Sequence, residues 1–241
     1  MIVYGSYLSQ PTRMVLWTSA LLNIPFEFKK VDSVKGEQRL PDFLKLNPNA
    51  VFPVIQEKSG FVLYESNAIA RYLCGESTSL YPSEPKTRAL VNQWLDWKHA
   101  SLRQGCAGIV RRKTMALMMK DITKHSMYLA FQEIKEEREA RLLLEALEVL
   151  ENQLKKTGLF IVEATSQPTL ADLAVFEEVE QLRLLPINEE PPYGSNIQSK
   201  FPNVAAWQTR MRQVPNYEEV HKDLLHATKV VDEIRKKNAK V

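Results

Sequence analysis

The sequence has few of the features that mark disulfide-bonded, membrane-spanning or nucleic-acid-binding proteins. It contains two cysteines in 241 residues, Cys74 and Cys106, and they do not form a CxxC pair. A disulfide framework or a metal site is therefore not expected, and a reducing compartment such as the cytoplasm fits the composition. No apolar stretch approaches the ~18 residues that a membrane helix needs, so we expect no membrane partner. The net charge of +3 is small and spread along the chain, and it predicts no nucleic-acid partner.

The amino-terminal segment lacks a basic region followed by an apolar stretch, so we expect no secretory signal. Hydrophobic residues make up 44% of the chain and charged residues 25%, which is typical of a folded globular protein. The length is enough for one large domain or for two of ordinary size.

Residues 1–78 alternate between short β-rich segments and helical segments. The hairpin turn Ser59-Gly60 joins the last two strands. The resulting order predicts a small mixed sheet with helices packed on it, an α/β domain. The predicted strands are residues 2–4, 26–31, 52–56 and 61–64, and the predicted helices are residues 11–22 and 66–74.

The pattern changes in residues 79–85, a proline-containing segment that we interpret as a linker between two domains. Beyond it almost no strand signal remains, so residues 86–241 are predicted to be all-helical and the fold class is α+β. Thr169 and Asp172 have the spacing of a capping box. The predicted helices are residues 87–114, 128–156, one that starts at Thr169, 200–213 and 217–236.

The first candidate for chemistry is Ser9, which precedes the predicted first helix in the sequence Ser9-Gln10-Pro11. A thiolate bound there would meet a hydroxyl donor and the positive end of a helix dipole. A hydrogen bond to a charged group contributes ~1.5–3 kcal/mol and a helix end ~0.3–2 kcal/mol. Because ~1.4 kcal/mol corresponds to one pKa unit, the two together would lower a thiol pKa by about one to three units. The alternative is that Ser9 only caps the helix.

The second candidate is Phe52-Pro53, at the start of a predicted strand. A cis bond there would expose the backbone N–H and C=O of Phe52 to an extended ligand, which would bind as an added strand. Most X-Pro bonds are trans, so the motif alone favours the trans form.

The third candidate is Glu65-Ser66, where a helix is predicted to begin. The hydroxyl of Ser66 and the free N–H groups of the first turn would bind a carboxylate. The carboxylate of Glu65 would bind an ammonium group beside it. The alternative is an ordinary helix start followed by core residues.

The ordered set of motifs resembles the theta class of glutathione transferases over residues 1 to about 220. The motifs are Ser9-Gln10-Pro11-Thr12-Arg13, Val34-Lys35-Gly36, Asn47-Pro48, Phe52-Pro53-Val54, Glu65-Ser66-Asn67-Ala68-Ile69, Leu95-Asp96-Trp97, Leu102-Arg103-Gln104-Gly105 and Thr169-Leu170-Ala171-Asp172-Leu173. The resemblance implies a thioredoxin-like first domain and a helical second domain. It also implies a homodimer that transfers the glutathione thiolate to a small hydrophobic electrophile, with no metal cofactor.

The resemblance assigns thiol activation to Ser9. It assigns glutathione binding to six residues: Gln10, Arg39, Phe52, Pro53, Glu65 and Ser66. Two positions depart from the family pattern. Val51 stands where a basic residue is common, so one contact to the glycine carboxylate is missing. The guanidinium of Arg39 can still donate two parallel hydrogen bonds to a carboxylate. Tyr7 remains an alternative thiol donor, because it shares a face with Ser9 if the first strand continues that far.

Two further segments have open roles. Residues 115–123 depart from the family pattern and either shape the electrophile pocket or belong to the core. In residues 217–241, four apolar side chains recur at helical spacing: Leu224, Ala227, Val231 and Ile234. They predict a helix that either closes over the electrophile site or packs permanently on the bundle. An alternative to the enzyme as a whole is a non-catalytic binding or assembly module of the same fold.

Overall fold

The computed structural model describes residues 1–76, 78–118, 136–163, 165–185 and 197–238. The amino-terminal part is a four-stranded sheet with helices packed on it, as the sequence predicts. The strand order is β2-β1-β3-β4; β1 is parallel to β2 and antiparallel to β3, which is antiparallel to β4. Its elements are β1 (Ile2–Gly5), α1 (Gln10–Leu21), β2 (Glu27–Lys30), a 3-10 helix (Glu37–Arg39), α2 (Pro41–Leu44), β3 (Val54–Gln56), β4 (Val62–Tyr64) and α3 (Ser66–Cys74).

The rest of the described chain is helical, which confirms the α+β class. Helix α4 begins at Pro85, the last residue of the segment interpreted as a linker. The elements are α4 (Pro85–Trp97), a π-helix (Lys98–Leu102), α5 (Arg103–Met118), α6 (Glu136–Thr157), α7 (Leu170–Glu180), a 3-10 helix (Gln181–Leu184), α8 (Ile197–Lys200), α9 (Pro202–Met211) and α10 (Tyr217–Asn238). None of the helices in these ranges is both long and apolar enough to cross a membrane.

Most predicted helices end within two residues of the observed ones, and two of them differ more. The single helix predicted over residues 87–114 is α4 and α5, joined by the π-helix. The first part of the helix predicted over residues 128–156 lies outside the described residues, and α6 is described from Glu136. Of residues 115–123, the first four complete α5 and the others, with all the side chains of this segment, lie outside the description.

The predicted capping box is present at the start of α7. One carboxylate oxygen of Asp172 accepts hydrogen bonds from the N–H and hydroxyl of Thr169, at 2.9 and 3.0 Å. The other oxygen accepts from the N–H of Ile161 at 2.9 Å and from the indole of Trp207 at 3.0 Å. Asp172 is fully buried, so these four bonds both begin α7 and join it to its neighbours.

The carboxy-terminal helix α10 packs against α1, α5 and the second 3-10 helix. The apolar stripe predicted for it is present, with Leu224 and Val231 fully buried. Its first turns are also fixed by polar contacts: the hydroxyl of Tyr217 donates to Glu180 at 2.6 Å, and His221 lies 3.0 Å from Glu177. These buried anchors favour permanent packing of the amino-terminal part of α10 over a movable cover.

Removal of α10 tests this packing. A chain cut after Asn216 should lose its cooperative thermal transition, because the cut removes buried apolar side chains and leaves Glu177 and Glu180 with fewer partners. A cut after Lys236 is the control; the described residues that it removes, Lys237 and Asn238, are exposed. If the shorter chain keeps a cooperative transition near that of the control, the whole of α10 is a detachable cover.

Candidate active site

The three predicted site segments meet at one edge of the sheet. Tyr4 pairs with Val54, and Val54 pairs with Tyr64, so these residues lie side by side on β1, β3 and β4. β1 and β4 end at this edge while β3 begins there, since β3 is antiparallel to both. Neighbouring strands are about 4.8 Å apart. The chain segments that follow β1, precede β3 and follow β4 are therefore adjacent.

Ser9 occupies the residue just before α1. Its backbone is extended (φ −89°, ψ 121°), and its carbonyl accepts the N–H of Arg13 at 3.0 Å. Its side chain makes no capping hydrogen bond to the first turn. The alternative that Ser9 serves only as a cap is therefore not supported by its geometry. The half-buried hydroxyl remains available to a ligand beside a helix amino terminus.

Tyr7 lies apart from this arrangement. β1 ends at Gly5 and residues 7 and 8 form a turn, so the assumption that the strand continues to Tyr7 is wrong. Its ring lies 4.4 Å from that of Phe28 on β2, and the ammonium of Lys222 lies 5.4 Å from its centre. Burial raises the pKa of Tyr7, with the charge of Lys222 acting in the opposite direction. The ring of Tyr7 thus packs against β2 and α10, and Tyr7 does not share a strand face with Ser9.

Phe52 and Pro53 immediately precede β3, and the peptide bond between them is cis. The trans form that the motif alone favoured is therefore wrong for this chain. Pro53 is buried and Phe52 is half-buried. Within the described residues, neither the N–H nor the C=O of Phe52 bonds to another backbone group. The edge of the sheet thus offers one donor and one acceptor to an extended ligand.

Glu65 and Ser66 stand at the start of α3. Glu65 has a backbone with positive φ (φ 72°, ψ 110°). For residues other than glycine such a conformation costs of order 1–3 kcal/mol, and it is common at ligand sites. Its side chain is exposed, and Ser66 is the buried first residue of the helix. Among the described residues, the hydroxyl of Ser66 has no hydrogen-bond partner. This hydroxyl and the free N–H groups of α3 form a potential carboxylate site.

The two remaining predicted binding residues differ in how free their side chains are. Gln10 is buried, and its amide donates to Glu178 on α7 at 3.2 Å, so it joins the two domains. Arg39 ends the first 3-10 helix, and its backbone N–H bonds to Gly36 at 2.8 Å. Its exposed guanidinium forms no ion pair with any residue that the structure describes, and it is available to a carboxylate.

A cavity of about 620 Å³ lies elsewhere on the sheet domain, against α2. None of the predicted site residues lines it. Its walls come from Tyr4, Val31, Glu37, Leu40, Pro41, Asp42, Phe43 and Leu46. Among the residues described, no cluster of histidine, cysteine and acidic side chains has the arrangement of a metal site.

A buried ion pair that sequence reasoning missed fixes α1 against the helical domain. The guanidinium of Arg13 lies 2.6 Å from Glu177 and also donates to Gln181 at 2.7 Å and to the carbonyl of Tyr7 at 3.0 Å. His221 lies against the other oxygen of Glu177. Burial alone would raise the pKa of Glu177, but Arg13 and His221 lower it below its ordinary value. The signal available in the sequence was Arg13, a charged residue that directly precedes the apolar residues 14–17 of α1.

Comparison with known proteins places these observations in a family. The model for the amino-terminal domain of glutathione S-transferases matches residues 9–76, and that for the carboxy-terminal domain matches residues 111–215. Glutathione S-transferase theta-2 of Rattus norvegicus is 32% identical over 212 residues, which are 87% of this chain and 79% of that protein.

Two other similarities cover almost the whole chain. Glutathione S-transferase T3 of Arabidopsis thaliana is 29% identical over 231 residues, 93% of this chain, which spans only 37% of that protein. The structure of an epsilon-class glutathione S-transferase from the housefly, Musca domestica, is 28% identical and covers 98% of each chain, with a TM-score of 0.74.

The buried ion pair at α1 leads to a prediction about stability. Arg13→Met should lower the free energy of unfolding by about 3–5 kcal/mol, because it removes the guanidinium from the buried carboxylate of Glu177. Adding Glu177→Gln to the same chain should recover most of the loss. Urea unfolding measures both. Arg141→Met is the control, because it removes an exposed pair with Glu145 and should cost less than ~0.5 kcal/mol.

The same pair predicts a pH dependence. The folded-state pKa of Glu177 is lowered, so the pairing contributes stability above the unfolded pKa of about 4.3 and loses it as the pH falls through the lower folded value. The difference between the native chain and Arg13→Met should therefore shrink in that acid range. A loss for Arg13→Met no larger than that for Arg141→Met would contradict the role of the pair.

Proposed function

The chain belongs to the glutathione S-transferase family, and on that premise we propose that it conjugates the glutathione thiolate to small hydrophobic electrophiles, with Ser9 activating the thiol. The observation that carries the proposal is the hydroxyl of Ser9, which stands before α1 at the edge of the sheet without capping the helix. The thiolate attacks an electrophilic carbon, and a leaving group departs or a double bond or ring takes up the charge. The hydroxyl and the dipole of α1 favour the ionised form of the thiol before the attack.

The rest of the tripeptide fits the groups at the same edge. The γ-glutamyl carboxylate binds at Ser66 and the free N–H groups of α3, and the neighbouring ammonium binds to Glu65. The cysteinyl backbone pairs with the N–H and C=O of Phe52, which brings its sulfur towards Ser9. Arg39 takes the carboxylate at the glycine end. Pro53 fixes the course of the chain at Phe52, and Gln10 holds the start of α1 against the helical domain.

The electrophile binds against the helical domain beside the sheet edge, where its apolar surface is removed from water. Orientation of the electrophile near the bound thiolate then contributes to the rate. A homodimer and a cytoplasmic location belong to the same proposal by family resemblance. A screen of small halides, epoxides, isothiocyanates and peroxides would identify the electrophile class.

A non-catalytic binding or assembly module is the second candidate. The exposed Val51, which stands where relatives often have a basic residue, favours it because one contact to glutathione is missing. The joint presence of Ser9, Arg39, Glu65 and Ser66 favours the enzyme. Retention on immobilised glutathione with elution by free glutathione supports a glutathione site, and turnover in the electrophile screen then separates the enzyme from the module.

Substitution of Ser9 tests the thiol-activation role. Ser9→Ala should lower turnover at least ~tenfold while the dissociation constant for glutathione changes little, because the hydroxyl serves the charged thiolate more than the whole ligand. Ser9→Thr keeps a hydroxyl and should retain more activity. Ser6→Ala removes a hydroxyl from the preceding turn and is the matched control. Turnover of Ser9→Ala equal to that of the Ser6 control would exclude Ser9 as the donor.

Substitution of Ser66 tests the carboxylate site at α3. Ser66→Ala should raise the dissociation constant for glutathione, because it removes one donor to the γ-glutamyl carboxylate. The increase should be smaller for an analogue that lacks this carboxylate. Isothermal titration calorimetry with the two ligands measures both values. Equal losses would show that Ser66 only begins the helix and binds no carboxylate.

A further inference from the structure

Lys98 is a buried cation at the point where α4 gives way to α5. It begins the π-helix, which packs against α4, α5, α6 and α7, and its side chain is only 2% exposed. In the described part of the chain, its ammonium has no hydrogen bond and no ion pair. Burial of the side chain makes the charge of this ammonium costly, so a negative group from outside the chain would be bound favourably beside it.

The surroundings of Lys98 place it beside the start of α3. The side-chain amide of Asn67, in the first turn of α3, donates to the carbonyl of Leu95 at 3.2 Å. Leu95 lies one turn before Lys98, so the amino terminus of α3 rests on this part of the helical domain. On the other side, Gln10 at the start of α1 donates to Glu178. The carbonyl that accepts from the first turn of α3 thus lies one turn before Lys98, and Glu178, which accepts from the first turn of α1, lies on α7, against which the π-helix packs.

The carboxylates near Lys98 are already bonded to other groups. Glu178 forms an ion pair with Arg103 and accepts from Gln10, and Glu177 pairs with Arg13 and His221. Burial lowers the pKa of Lys98 to about 8, while the charges of Glu178, Glu177 and Glu65 raise it and that of Arg103 lowers it. Of these charged groups, Glu65 is the one that stands at the start of α3. The charge of Lys98 at neutral pH is thus not neutralised by direct contact.

We propose that Lys98 is a further specificity-determining residue, whose buried positive charge holds the γ-glutamyl carboxylate of glutathione at the amino terminus of α3. This rests on the proposed function. The ammonium acts from the helical-domain side, while the hydroxyl of Ser66 and the N–H groups of α3 act from the sheet domain. A ligand that lacks the carboxylate loses the benefit of both, and a ligand that carries it bridges the two domains.

The test uses the whole protein and two ligands that have no ionisable thiol. One is S-methylglutathione; the other is its analogue built on 4-aminobutyrate, which lacks only the γ-glutamyl carboxylate. Lys98→Met replaces the lysine with an uncharged side chain of similar length. It should lower the affinity for S-methylglutathione at least ~tenfold and that for the analogue by no more than about twofold. Lys86→Met changes an exposed lysine at the start of α4 and should affect neither ligand.

The outcomes separate this inference from the proposed function. If the native protein binds S-methylglutathione and Lys98→Met binds it equally well, or loses both ligands equally, the inference is overturned and the proposed function stands. If the native protein binds neither ligand, both are overturned. Lys98→Met should not lower the melting temperature, because it removes an unpaired buried charge. If it does not fold, Lys98→Gln, which keeps a donor without the charge, should show the same selective loss, and binding at the native level would overturn the inference.

Discussion

The ion pair between Arg13 and Glu177 is the contact on which the position of the candidate site depends. Both side chains are fully buried, and they join α1 of the sheet domain to α7 of the helical domain. Arg13 also holds the carbonyl of Tyr7, in the turn that leads to Ser9. A buried pair of this kind adds little net stability, but it leaves few alternative arrangements for the two helices. The start of α1 is therefore fixed relative to the bundle, and Ser9 with it.

Further buried polar contacts extend this constraint along α7. Glu180, fully buried, accepts from Tyr217 at 2.6 Å, from Arg212 at 2.8 Å and from Gln208 at 3.2 Å. Burial and the neighbouring carboxylate together raise the pKa of Tyr217, so the phenol keeps its proton and donates. The acidic side chains of α7 thus connect α1, α9 and α10, and the helix serves as the common partner of the elements around the site.

The sequence was sufficient for features that depend on local periodicity and short motifs. The four strands, the hairpin turn, the capping box at Thr169 and the apolar stripe of α10 are all of this kind. Three features were not predicted: a contact between residues distant in sequence, a π-helix turn, which is one residue wider than an α-helical turn, and an unusual backbone conformation. Arg13 and Glu177 are 164 residues apart, and a glutamate in a helix is ordinarily expected to face solvent. The π-helix at Lys98 has no motif of its own, and the left-handed backbone of Glu65 is unusual outside glycine.

The central claim is that Ser9, set beside the dipole of α1, favours the thiolate of bound glutathione. The ultraviolet absorbance of the thiolate, titrated against pH in the complex, measures this effect without any electrophile. In the native protein, the bound thiol should have a pKa at least about one unit below the ~8.5 of a free thiol, and Ser9→Ala should bring it most of the way back. The same thiol pKa in both proteins would contradict the claim.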